Sequence, residues 1–295
     1  MRIRATVAAV TGALALSAFV APASQAADSA WSHQAEAAKV LAAHSGQSAS
    51  SAKSALAADA TAADLGVTFS NLKVAKAVKV GTSAHVSTTV TYTLTHGANY
   101  DITSDDFDNG PYLYKGSFDA PDNVLFGQLP ATCTATSDTT ASCSGKIDVY
   151  PGEGDLINTD AGKWSAGGLA LQYSTGDISD QGGLGSSLVQ RASQLTVNAA
   201  PEPVKKGKTV TVTGKLSRAN WETGKYAGYA TQKVVLQFRK KTSSTYTNVK
   251  GITSTSTGTL KTTTKATVDG YFRFTFAGTT TTPAVSAAGD YVDVK

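Results

Sequence analysis

Much of what catalysis and metal binding draw on is scarce in this chain. Its 295 residues include two cysteines, one methionine, four histidines and three tryptophans, and 16% are charged. Hydrolysis by a Ser-His-Asp arrangement needs a histidine as base. His33 and His44 fall in an alanine-rich leader, while His85 and His96 flank one strand and read as two surface histidines. No Gly-x-Ser-x-Gly occurs, so no strand-to-helix turn presents a serine nucleophile. Zinc needs paired His or Cys ligands at short spacing, and the chain offers none. No catalytic residue and no cofactor motif is marked.

Long apolar runs are equally rare, and the one present opens the chain. Arg2 and Arg4 precede Ala5 to Val20, Pro22 follows, and Ser24-Gln25-Ala26 puts small residues where signal peptidase reads. The run is too short and too alanine-rich for a membrane span. The expectation is a signal peptide over 1–26, cleaved after Ala26. No cysteine follows it to carry a lipid, and no second apolar run occurs toward "YVDVK". A secreted, extracellular protein without a membrane span is expected.

The two cysteines, Cys133 and Cys143, lie in "TCTATSDTTASC". An even pair on either side of a Ser137-Asp138 turn in an exported chain reads as a structural disulfide across a hairpin. A metal site would need more soft ligands, and a redox site a closer Cys-x-x-Cys spacing.

Net charge is +4 for the full chain and +2 once Arg2 and Arg4 are removed. That hides an asymmetry: 65–194 holds 7 Lys/Arg against 13 Asp/Glu, whereas 195–295 holds 15 against 5. Such a split bears on partners and suggests two domains.

Residues 27–64 are rich in Ala and Ser, with one amphipathic stretch from Trp31 to His44, and read as a partly helical leader or linker. From Leu65 onward the chain alternates threonine with apolar residues at period two. In "HVSTTVTYTL" Val86, Val90, Tyr92 and Leu94 share one face. In "GYFRFTFAG" Phe272, Phe274 and Phe276 point inward and Tyr271, Arg273 and Thr275 outward. The C-terminal hundred residues show about seven such strands, which suits a sandwich, with a barrel of similar strand count as the alternative. The domain boundary is expected in or just after the glycine-rich "GDISDQGGLGSS" before Leu188.

The C-terminal stretches "LTVNAAPEPVKKGKTVTVTGKL" and "DGYFRFTFAGTTTTPAVSAAGDYVDV" resemble the immunoglobulin-like modules of secreted proteins from high-GC Gram-positive bacteria. The resemblance covers the C-terminal third. It implies fold and export, and it transfers no site, since such modules serve as spacers, adhesins and binding units alike. The fold expected is all-β: two immunoglobulin-like β-sandwich domains in tandem after the signal peptide and leader, an acidic one over 65–192 and a basic one over 193–295.

Two stretches offer candidate sites. "SDDFDNG" supplies Asp105, Asp106 and Asp108, hard oxygen ligands that suit calcium, although the spacing is not that of an EF-hand. A solvated turn whose acids cap their own backbone is the weightier reading. "NWETGKYAGY" clusters Trp221, Lys225, Tyr226 and Tyr229. A sugar-stacking platform facing an anionic cell-wall polymer or polysaccharide is one reading of it. The other has Trp221 plugging the core beneath a long inter-strand connection, its N–H bonded, and it takes precedence for Trp221. The lysines of the basic half are scattered, and no nucleic-acid module is recognisable. The function read from all this is a secreted, non-catalytic, binding, adhesive or structural protein of the cell surface or matrix. The alternative is an extracellular carbohydrate-active hydrolase using carboxylates of the acidic domain.

Overall fold

The computed structural model describes residues 63–295. The expected signal peptide and all but the last two residues of the leader, with the Trp31–His44 helix, lie outside the described residues.

The described chain is all-β. Its first nine strands are β1 Thr68–Lys73, β2 Ala77–Val80, β3 Val86–Thr95, β4 Phe107–Gly116, β5 Pro121–Phe126, β6 Thr132–Ser137, β7 Thr140–Val149, β8 Gly162–Gln172 and β9 Ile178–Arg191. They form two sheets, ordered β1-β3-β7-β6 and β2-β9-β8-β4-β5, with β2 parallel to β9. Ten more follow: β10 Ser193–Leu195, β11 Asn198–Ala200, β12 Thr209–Asn220, β13 Lys225–Gly228, β14 Lys233–Lys240, β15 Thr247–Thr253, β16 Thr259–Lys265, β17 Gly270–Phe276, β18 Val285–Ser286 and β19 Asp290–Val292. In one of their sheets β10, β11, β13 and β16 all pair with β12; the other runs β15-β14-β17-β18 with β19 also on β17.

By compactness the chain divides into two units that do not follow the strand count. The first gathers the described residues up to Lys73 with Thr89–Asp148 and Ala166–Leu184. The second gathers Val74–Thr88, Val149–Ser165 and Gly185–Lys295.

In the first unit the period-two pattern places Val90, Tyr92 and Leu94 of β3 inside, each at most 3% exposed. Tyr92 reaches from one sheet to the other, its hydroxyl donating to Asn109 Oδ1 on β4. Burial pushes that hydroxyl's pKa upward, so it stays a neutral donor. Tyr112, Tyr114, Phe126 and Leu169 make an aromatic cluster, with Phe118 and Val124 packed on it. The β6–β7 hairpin sets Cys133 directly opposite Cys143, and the two are joined in a disulfide.

In the second unit one core joins both C-terminal sheets. Val210, Val212, Leu216 and Leu260 meet Val234, Leu236 and the three phenylalanines 272, 274 and 276. Two open sheets sharing an apolar interior make a sandwich rather than a barrel. The first sheet has strands before and after it in sequence paired on β12, and the second is centred on β14 and β17. This is the strand exchange of an immunoglobulin-like fold.

One segment differs from its sequence reading. Asp108-Asn109-Gly110 lies within β4 rather than in a turn, and Pro111 sits in the same strand. The glycine-rich 176–187 stretch is part of the 14-residue β9 from Ile178, and the division between the compact units falls within it, between Leu184 and Gly185. Its glycines serve packing, since a Cβ at Gly182 would collide with the ring of Phe118.

Candidate binding site

Trp221 stands at the tip of the β12–β13 hairpin and is 4% exposed. The connection is therefore a tight hairpin, shorter than the long link expected. Nor does the indole join the phenylalanine core. Its Nε1–H donates to the carbonyl of Val80 on β2 at 3.3 Å, and its backbone N–H donates to Asn158 Oδ1 at 3.1 Å. Asn158 also donates from Nδ2 to Asn220 Oδ1 and Glu222 Oε2. Beside it Arg191, 7% exposed, donates Nε–H to the Ala219 carbonyl at 2.6 Å. Burial, reinforced by the charge of Arg218, pulls the Arg191 pKa down to about 10.

The other three residues of the stretch differ from Trp221 in burial and surroundings. Lys225 and Tyr226 lie on β13, where Tyr226 is 36% exposed. Tyr229 packs on the core, edge-on to Phe276 at 5.7 Å, with the Arg218 guanidinium 3.9 Å over its ring. Burial pushes the Tyr229 pKa up, but hydrogen bonds from Thr279, Thr282 and Thr281 and the charge of Arg218 outweigh it and leave it lowered. The four residues are not assembled as an open stacking platform.

Nor do the acids of the "SDDFDNG" stretch converge. Asp106 accepts bonds from Ser174 N and Oγ and from Gln172 Nε2, which hold its carboxyl below the usual range. Asp108 accepts from the Tyr173 hydroxyl. Among the described residues no group of three or more His, Cys, Asp or Glu side chains is placed to hold a metal ion. His85 is exposed and stacks on Tyr150 at 4.2 Å. His96 is not a surface residue: it is 6% exposed, with Nδ1 2.9 Å from the Gly97 carbonyl, because the end of β3 is tucked inward.

A cleft of about 570 Å³ in the first unit is lined by Asp64, Phe118, Ser179, Asp180 and Gln181, among others. Both its carboxylates are engaged. Asp64 accepts from Ser179 Oγ and from Gly66 N, which lower its pKa, and Asp180 accepts from the Tyr112 hydroxyl at 2.6 Å.

A row of polar and aromatic groups in mutual contact lies elsewhere, on the outward side of the β15-β14-β17-β19 strands. Alternation turns Arg239 of β14 and Tyr271 and Arg273 of β17 away from the core. The register sets Arg239 opposite Tyr271, Tyr271 opposite Tyr291 of β19, and Gln237 opposite Arg273. Tyr246, just before β15, swings across them. The Arg239 guanidinium lies 3.8 Å over Tyr271 and 5.4 Å from Tyr246, and Arg273 lies 3.8 Å over Tyr246. Tyr271 and Tyr291 are 5.2 Å apart, and Lys241 is 5.4 Å over Tyr291. Gly289 makes room for the Tyr246 hydroxyl, which a Cβ there would strike. The tyrosines and arginines are half-buried and Lys241 is exposed. Outward alternation in "GYFRFTF" and "KVVLQFRK" was the only trace of this face in the sequence, and it could not say which side chains meet.

No protein-family model matches the chain, and no curated protein does. Among solved structures it is similar to a marsupial T cell receptor, at 11% identity over 77% of this chain and 73% of that one, with a TM-score of 0.35. A second marsupial T cell receptor structure matches at 15% identity over 76% and 72%, with a TM-score of 0.28. Dimeric latent PorU from Porphyromonas gingivalis matches at 10% identity over 77% of this chain and 20% of its own, with a TM-score of 0.27.

Proposed function

We propose that this is an exported bacterial protein of immunoglobulin-like sandwiches that acts by binding or by structural adhesion at the cell surface or in the surrounding matrix, without catalysis. One observation carries the reading. Asp64, Asp106, Asp108 and Asp180 are engaged in hydrogen bonds between segments of the fold, while the row of arginines and tyrosines on β14, β17 and β19 keeps part of its surface in solvent. Export is supported by the charged, apolar and small-residue segments of 1–26, and the bacterial origin by the resemblance of the C-terminal third. The two sandwiches are read as joined between Arg191 and Ser193, where β9 ends and β10 begins.

The test is to produce the chain with its own first 26 residues and follow the released protein. It should begin at Ala27 and bind saturably to isolated cell envelopes, with no release of reducing sugar ends. A protein that stays unprocessed, or that is not retained, refutes the reading. Reducing ends that disappear in Asp64→Asn or Asp180→Asn would establish the hydrolase alternative instead.

A further inference from the structure

We propose that the outward row of Tyr246, Arg239, Tyr271 and Tyr291, with Arg273 and Lys241, is a binding face for a polysaccharide bearing carboxylate groups. The inference deepens the non-catalytic binding role proposed above and rests on it.

The two arginines are held but not neutralised. Arg239 uses Nη1 to reach the Ser243 carbonyl at 2.9 Å, and Arg273 uses Nε to reach Gln237 Oε1 at 2.9 Å. A guanidinium carries five N–H donors, so most of each fork remains available. Among the described residues neither arginine has a carboxylate at ion-pair distance. The acid that touches the row, Asp269, sits at its other end. It accepts from the Tyr291 hydroxyl at 3.3 Å and from Val294 N at 2.9 Å. The Arg239–Arg273 end is therefore the electropositive one.

Holding the forks in place matters for affinity. Each guanidinium is fixed by a ring below it and a hydrogen bond at its side, so little side-chain freedom is left to lose on binding. A planar fork matches a carboxylate through two parallel bonds, which an ammonium cannot do.

The same stacking decides the class of polymer. Single-stranded nucleic acid is gripped by open aromatic faces on which bases stack. Here Arg239 and Arg273 already occupy faces of Tyr271 and Tyr246. The Tyr291 hydroxyl donates to Asp269 and the Tyr246 hydroxyl lies against Gly289. The groups the row offers are therefore the guanidinium forks, set beside half-buried tyrosine rings whose remaining apolar surface suits the C–H faces of sugars. Adjacent strands lie about 4.8 Å apart, comparable with the length of one pyranose, so successive sugars can meet successive strands.

Polygalacturonate is the probe, with its fully methyl-esterified form as the uncharged control and single-stranded DNA as the unrelated polyanion. The full-length secreted protein should bind polygalacturonate and not the ester. Arg239→Gln with Arg273→Gln should weaken binding roughly tenfold or more. The corresponding Arg→Lys pair, which keeps the charge and loses the fork, should also weaken it. Should the Gln pair lower the melting temperature, the single variants Arg239→Gln and Arg273→Gln, each at wild-type stability, should still weaken binding severalfold. Equal binding by the Gln pair, equal binding of the ester, or DNA binding with the same arginine dependence would each overturn the proposal. Envelope retention distinguishes the two levels. If the Gln pair is retained like the wild type, this face is not the site but the binding role stands, whereas a wild type that is not retained removes the role itself.

Discussion

Replacing Trp221 by alanine is the most direct probe of how the second unit is held together. The side chain is 4% exposed, so nearly all its apolar surface is lost from the interior. Truncating a buried tryptophan costs about 3–5 kcal/mol. The indole N–H bond to Val80 adds about 1 kcal/mol. The Val80 carbonyl is not orphaned by the change, because it also accepts from Ala192 N at 2.8 Å. The heavier penalty of a dry unpaired acceptor therefore does not apply. A total of about 5 kcal/mol remains, and at about 2–4 °C per kcal/mol for a unit of this size the melting temperature should fall by roughly 15 °C. Trp221→Phe isolates the second contribution: it keeps most of the apolar contact and loses the donor, so it should cost about 1–2 kcal/mol. Far-ultraviolet circular dichroism during heating reads both. A loss below about 1 kcal/mol in the alanine variant would show that the indole is not enclosed, and that the bond to Val80 does not form in solution.

The Cys133–Cys143 bridge should appear as a two-proton mass difference between unreduced and reduced protein. Its closed loop spans few residues, so reduction should lower stability by at most about 3 kcal/mol. A thiol titre near two in unreduced protein refutes it. Acid should destabilise the first unit. Asp106 is held low by Ser174 and Gln172, and Asp64 by Ser179 and Gly66. Their folded pKa values lie below the unfolded ones, so this stabilisation is complete above the ordinary carboxylate range and is lost as pH falls through the folded values. Asp106→Asn should therefore flatten the acid limb of the stability curve, and an unchanged limb would contradict the assignment. Calcium at millimolar concentration should leave the melting temperature unchanged, since Asp106 and Asp108 are already bonded; a rise of several degrees would show a site.

How much of this could be read from the sequence depended on the distance over which a residue finds its partner. The phenylalanine strand was legible because alternation is local: Phe272, Phe274 and Phe276 are inward whatever lies opposite. The cysteine hairpin was legible for the same reason, with a turn signal midway between the two thiols. Trp221 was legible as a residue that needed a partner, but not that the partner was Val80, 141 positions earlier. The strand containing Asp108 was missed because Pro and Gly in "FDNGPYLYKG" imitate a turn. The Tyr–Arg row was beyond reach, since it depends on the register of two strand pairs and on Tyr246 lying across them.

The second unit is gathered from three separated lengths of chain, and this has a consequence for its birth. Synthesis delivers the chain from its amino end. Val74–Thr88 therefore emerges while the segment it must join, Gly185–Lys295, is still unmade. Until Leu188–Arg191 arrives, the backbone of β2 has no parallel neighbour, and until Trp221 arrives the Val80 carbonyl lacks its indole. Contacts of such long sequence separation are costly to close and slow to form. The nascent chain must carry an unfinished strand across most of its length, and its final closure awaits the last third to be made.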